Sequence, residues 1–186
     1  MAKGQMRYLA YRLLPALAVA LALSGSGAAA AGASVEPSPE VRPAAPWSNL
    51  SLHVYGLSYH TDREGARRRN VDNELNPGLG LGYEFHNDDR GAAFFAAGFY
   101  EDSGRNMAKL AGPGYQFKLG NRWRLGAVLP VIQSRTYNNG RTFIVPIPLL
   151  TYDLGAVKLN AVYAPRYRQH NEFAVFGLYL SIPFSK

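Results

Sequence analysis

The sequence predicts an all-β chain, an eight-stranded antiparallel transmembrane β-barrel, on three observations. Beyond residue 47 the chain breaks into eight short segments of alternating apolar and polar character, bounded by Gly, Asn and Asp turns. The connections alternate between short and long, as they do when turns lie on one membrane face and loops on the other. Twelve tyrosines and nineteen glycines are many for a helical domain and ordinary for a sheet with wet edges.

Residues 1–31 read as a secretory signal peptide. Lys3, Arg7 and Arg12 form its basic region, 13–23 its apolar core and 24–31 its small-residue exit, with the cleavage tripeptide at 28–30 or 29–31. That apolar core is too short to span a bilayer comfortably. Residues 32–46 read as a Pro-rich extended arm, because Pro37, Pro39, Pro43 and Pro46 exclude a regular helix. Residues 47–186 are the barrel, with strands expected at 50–60, 77–86, 92–101, 110–119, 122–134, 142–152, 157–167 and 172–184. Short connections fall at 87–91, 120–121 and 153–156, and longer ones at 61–76, 102–109, 135–141 and 168–171. An even strand count puts both ends of the barrel on the short-turn side, the periplasm for an exported chain. The expected location is the outer membrane, and the expected state a monomer.

Composition narrows the chemistry. The 186 residues contain no cysteine, which excludes a disulfide framework and thiolate metal sites. Three of the seven excess positive charges are Lys3, Arg7 and Arg12 of the leader, so the remaining surplus is too mild to predict nucleic-acid binding. No metal constellation is visible and no cofactor is expected. The run 78–82, GLGLG, is no nucleotide loop, since no helix follows it.

Side chains alternate along a strand, so parity sorts them into two faces. In the first segment Leu50, Leu52 and Val54 share one face, and Ser51, His53, Tyr55 and Tyr59 the other, with His60 opposite His53. In the second, Gly78, Gly80 and Gly82 face away from Leu79, Leu81, Tyr83 and Phe85. In the fourth, Gly112, Gly114, Gln116 and Lys118 oppose Ala111, Pro113, Tyr115, Phe117 and Leu119. The apolar faces are expected to meet lipid. Inward glycines, Gly98 among them, would leave an uncharged hole suited to a hydrocarbon chain, unless they only relieve crowding where strands bend. Pro77, Pro113, Pro130, Pro146, Pro148 and Pro165 each remove a ladder donor, and so mark either lateral gaps in the wall or strand ends and bulges.

The stretch FYEDSGRNMAKLAGPG at 99–114 is the focus of the functional reading. It delivers Asp102 and Ser103 to a rim, where the strand must give way to loop for both to serve one site. Acyl transfer needs a hydroxyl made nucleophilic by a base, an orienting carboxylate and donors for the developing oxyanion. His53 and Asp102 supply the first and second of these partners for a hydroxyl, as in a triad. Ser103 either carries the acyl group or positions a substrate hydroxyl for direct transfer; both remain open. Arg67, Arg68, Arg69, Arg105, Lys109, Arg135, Arg141, Arg166 and Arg168 fall at the same rim and suit phosphate. Asp62, Glu64, Asp72 and Glu74 lie close enough to some of them to neutralise them.

The short motifs LHVY at 52–55, NPGLGLG at 76–82, FYEDS at 99–103, LAGPG at 110–114 and VYAP at 162–165 together resemble the outer-membrane lipid A palmitoyltransferase (PagP) family over about residues 47–184. The resemblance implies an acyltransferase that moves palmitate from a phospholipid to a hydroxyacyl chain of lipid A. It places the family's histidine on His53, its Asp-Ser pair on Asp102 and Ser103, and the glycine flooring its acyl pocket on Gly114. The prolines flanking its lateral lipid entrances would be Pro77, Pro148 and Pro165. The partners implied are lipid A or lipopolysaccharide and a phospholipid acyl donor. This sequence departs from the family in three places: 34–46 cannot form the amphipathic N-terminal helix, Ser48 stands where a proline is expected, and the chain ends IPFSK rather than on a terminal aromatic. The alternatives are a non-enzymatic structural or adhesive barrel, and a lipid A deacylase. The deacylase would carry a late His-x-Ser, which His170-Asn171-Glu172 does not match.

Overall fold

In a computed structural model that describes residues 47–167 and 171–185, the alternating segments form one closed antiparallel wall. The signal peptide and arm expected over 1–46 lie outside the described residues. In chain order the elements are β1 (Leu50–His60), the short helix α1 (Arg63–Arg68), β2 (Leu75–Asn87), β3 (Gly91–Glu101), β4 (Met107–Leu119), β5 (Trp123–Val128) and β6 (Val131–Gln133). They continue with β7 (Phe143–Ile144), β8 (Ile147–Asp153), β9 (Lys158–Ala164) and β10 (Val175–Pro183). Neighbours run β3-β2-β1-β10-β9-β8-β5-β4, and pairing of β4 with β3 closes the ring. Among the described residues no helix is long and apolar enough to cross a membrane.

Ten segments make eight wall positions because two strands are interrupted. Both β5 and β6 pair with β4, and β7 and β8 face them in turn. The breaks fall at Leu129-Pro130 and Val145-Pro146. A proline has no N–H to give the ladder, so the two strands expected to run unbroken through these positions divide there. The β8–β9 ladder stops at Leu149 and Val162, leaving Ile147 and Pro148 unpaired toward β9. The turns at the opposite end are tight. Asp88 accepts from the Arg90 and Gly91 amides at 2.9 Å, and its carboxyl is thereby held below the usual range. Gly120 and Gly155 adopt φ of 85° and 92°, a conformation that side chains oppose.

The outward face is apolar all round: Leu79, Phe85, Phe99, Phe117, Leu125 and Phe176 are exposed. A monomer in water rarely exposes so continuous an apolar surface, and a bilayer-embedded barrel requires it. This exterior is consistent with an outer-membrane barrel. A lipocalin-like barrel would turn the same residues inward.

One feature of β1 breaks simple alternation. Its register slips between Tyr55 and Leu57 against both β2 and β10, a β-bulge at Gly56. A one-residue slip exchanges the faces for every residue beyond it. Leu57 and Tyr59 therefore point outward, and His60 points inward with only 2% of its surface exposed. The expected pairing of Tyr59 with His53, and of His60 with the outer face, is reversed by this bulge.

Candidate functional site

At the short-turn end the bore is closed by polar side chains. Gln116 Nε2 donates to Thr151 Oγ1 (2.7 Å), Thr151 to Asn160 Oδ1 (2.7 Å), and Asn160 Nδ2 to Ser181 Oγ (2.8 Å). Glu84 accepts from Lys158 and, at 3.5 Å, from Arg124. Above this plug lies an apolar cluster of Phe94, Ala96 and Leu149, and above that a cavity of about 180 Å³, open at its mouth.

The glycines do not create that cavity. A methyl group added at Gly82, Gly98 or Gly114 would run into the rings of His53, Tyr55 and Phe94 respectively. The glycine face is thus a bed for aromatic rings, and its space is filled. The open volume lies across the bore, against Val128, Pro130, Ile132, Val145, Ile147 and Val162. Phe94, Tyr179 and His53 line its deep end, with Gly114 making room for the Phe94 ring from behind.

Apart from His53, Tyr55 and Tyr179, the cavity's polar groups lie toward the loop end. Ser103, 3% exposed, lines the mouth with Asn76 and Tyr137. The Tyr137 hydroxyl is hydrogen-bonded to Ser103 and Tyr100. Burial pushes its phenol up, as does the nearby Asp102 carboxylate, so it stays neutral. Asn76 donates to the Glu101 carbonyl at 2.9 Å and leaves its own Oδ1 buried without a partner.

Asp102 is fully buried and fully occupied. Its Oδ1 accepts from the Gly104 amide (2.9 Å), the Asn106 amide (3.0 Å) and Thr136 Oγ1 (2.8 Å), and its Oδ2 accepts from Ser134 Oγ. It begins an Asx-type turn and ties the 102–106 loop to the strand leaving β6. Its partners are amides and hydroxyls, with no imidazole among them.

The structure brings Asp102 and Ser103 together where β3 ends at Glu101, but does not bring His53 to them. His53 stands opposite Gly80, and Gly80 opposite Gly98. From Gly98 to Asp102 is four residues of strand, roughly 13 Å. The Tyr55 and Tyr100 rings, 5.6 Å apart, stand between. His53 instead touches Tyr179 (5.2 Å between ring centres) and Ser51 Oγ (3.3 Å), and its Nδ1 is buried without a partner. The imidazole at the right height is His60, seven residues further along β1. Ser58 N–H reaches the Glu74 carbonyl (2.9 Å) and Asn73 N–H the Ser103 carbonyl (3.1 Å). Two strand spacings, about 10 Å of wall, thus separate that end of β1 from Ser103. His60 Nδ1 is also buried and unpartnered.

Sequence reasoning missed His60, Tyr137, Ser134 and Thr136. Gly56 inside a strand signals a bulge, and reading it would have moved His60 to the inner face. Ser-x-Thr at 134–136 is the signal for two hydroxyls on one face beside a carboxylate. Pro77 sits opposite the bulge, between the Tyr55–Gly78 and Leu57–Leu75 pairs, and so outside the ladder. Pro148 and Pro165 flank the unpaired stretch between β8 and β9. Among the described residues no cluster suited to a metal ion occurs. No model of a protein family matches the sequence, and no curated protein matches it either.

Proposed function

We propose that this barrel is an outer-membrane acyltransferase that moves palmitate from a phospholipid to a hydroxyacyl chain of lipid A. The observation that carries the reading is an apolar cavity, plugged at its short-turn end, with the buried Ser103 hydroxyl at its mouth. From Phe94 to Ser103 is roughly 30 Å of strand, or about 23 Å of height at a tilt near 40°. One leaflet's acyl chain needs about 15 Å, so such a chain fits with its carbonyl at the rim.

In this reading the cavity holds the donor chain and excludes water. Ser103 lies at the carbonyl, as acyl carrier or as the group that positions the acceptor hydroxyl. His60, the inward imidazole at that height of the wall, is assigned the proton of the attacking hydroxyl, which the bound acceptor must bring within its reach, since that end of β1 stands about 10 Å of wall from Ser103. Asn76 Oδ1, otherwise orphaned, accepts from the incoming acceptor. Asp102 holds the loop that presents Ser103. Donor and acceptor reach the cavity sideways, through the breaks at Pro77 and between Pro148 and Pro165. The lipid A mass profile of cells with and without the chain tests this: one added palmitoyl group is expected, lost in Ser103→Ala. An unchanged profile would overturn it.

The saturated hydrogen bonding of Asp102 favours a second reading, a non-enzymatic barrel whose rim is only well tied. That reading predicts a stable barrel and no lipid A modification.

A further inference from the structure

The loop-end rim carries two arcs of different electrostatic character. On the arc built by loop 61–74 and the 102–106 turn, every arginine has a carboxylate: Arg63 with Glu74 (2.8 Å), Arg67 and Arg105 with Asp72 (4.0 and 3.7 Å), Arg68 with Glu64 (3.6 Å), and Arg69 with Glu172 (3.5 Å). On the other arc Lys109, Arg135, Arg141 and Arg166 are exposed. Among the described residues none of these four has an acidic partner. The sequence supplies the reason: no Asp or Glu occurs between Asp102 and Asp153 or between Asp153 and Glu172, Asp153 sits at the short-turn end opposite Lys158, and Glu172 pairs with Arg69.

The backbone beneath these cations is pinned. Lys109 stands opposite Gln133, two residues before Arg135. Phe143 stands opposite Ile132, which sets Arg141 beside the same strand exit. Ser134 and Thr136 both turn inward to Asp102, so Arg135 between them turns out. The Arg141 turn is closed by its amide to the Asn138 carbonyl (3.1 Å) and by Asn138 Nδ2 to the Arg141 carbonyl (3.2 Å). Val131 and Ile144, level with Ala111 and so below Lys109, are exposed, as is Met107 beside the cations at the rim. Arg166 follows Pro165 at the edge of the unpaired stretch between β8 and β9.

We propose that this arc docks a lipid headgroup bearing phosphomonoesters, the lipid A acceptor, with its acyl chains against Met107, Val131 and Ile144. The choice of lipid rests on the acyltransferase reading. Guanidinium groups bind phosphate in a two-point fork, and uncompensated cations on β4, in the β6–β7 connection and after β9 match a headgroup with several charges. A phospholipid with one phosphodiester engages fewer of them. The opposite arc, neutralised by its own carboxylates, offers no such surplus.

Binding tests this without requiring transfer. The purified chain in zwitterionic detergent is titrated with bisphosphoryl lipid A or with phosphatidylglycerol, and bound lipid is read by native mass spectrometry. The double variant Arg135→Gln/Arg141→Gln should bind lipid A about tenfold more weakly. Arg63→Gln/Arg67→Gln, with the same change in net charge, should lose less than about twofold, as paired surface charges contribute little. Equal losses in the two variants, no loss in the first, or phosphatidylglycerol binding as tightly as lipid A would each overturn the assignment. Selective binding in a chain that transfers no palmitate would uphold this surface and remove the acyltransferase reading.

Discussion

Replacing Asp102 separates a loop clamp from a catalytic carboxylate. Its side chain accepts four hydrogen bonds, from the Gly104 and Asn106 amides and from Ser134 and Thr136. In Asp102→Ala all four donors lose their acceptor. At roughly 1 kcal/mol each, once water re-enters the loop, the barrel loses roughly 4 kcal/mol. Asp102→Asn keeps the three bonds at Oδ1 and loses the charge and the bond from Ser134, whose hydroxyl an amide NH2 cannot accept, so its cost is roughly 1–2 kcal/mol. Urea unfolding of the barrel in lipid vesicles, followed by tryptophan fluorescence and electrophoretic mobility, measures both. The clamp account further predicts that Asp102→Asn keeps most of any acyl transfer while Asp102→Ala loses it. Equal stability losses in the two variants, or an Asn variant as inactive as the Ala variant, would refute the reasoning, since a triad carboxylate must keep its charge.

Other expectations follow from the same geometry. His60→Asn should abolish palmitate transfer with the barrel folded, whereas His53→Asn should keep transfer; lipid A mass spectrometry on the two variants distinguishes them, and the reverse result would return the base to His53. Gly114→Met should drive the Phe94 ring into the deep end of the cavity and shorten the preferred acyl donor, read as the mass of the added chain from mixed-length phospholipids. Glu84→Leu leaves Lys158 and Arg124 without their shared carboxylate and should cost roughly 2–3 kcal/mol in vesicle unfolding, somewhat below the range for fully buried pairs.

The barrel was legible because its determinants are local. Alternation, Gly and Asn turns and the contrast of short and long connections are each written within a dozen residues, and strands 50–60, 92–101 and 110–119 lie within two or three residues of β1, β3 and β4. The two divided strands are legible only in part: Pro130 and Pro146 mark either a gap or a strand end or bulge, but a strand that resumes beyond a proline reads as one run. The site was harder because it depends on register. Parity was extrapolated through Gly56, and a single inserted residue exchanged the faces of Tyr59 and His60. The glycine-widened bore failed for a related reason. An inward glycine leaves space only if no neighbour claims it, and whether Phe94, His53 and Tyr55 lie over Gly114, Gly82 and Gly98 is decided by cross-strand pairing that one strand's sequence does not display. Asp102 and Ser103 were found because a strand end is a local feature. Their partners Ser134, Thr136 and Tyr137 come from a hairpin some thirty residues away, joined only when the ring closes.

The central claim is that a hydroxyl at the mouth of an apolar, one-ended cavity supports transfer of an acyl chain between lipids. Its most direct test is the mass of lipid A incubated with the folded barrel and a palmitoyl phospholipid, for the wild-type chain beside Ser103→Ala. The account predicts one added palmitoyl group, matched by release of lysophospholipid, with the wild type and neither with the variant. Unmodified lipid A with a correctly folded wild-type barrel, or equal palmitoylation by the variant, would contradict it.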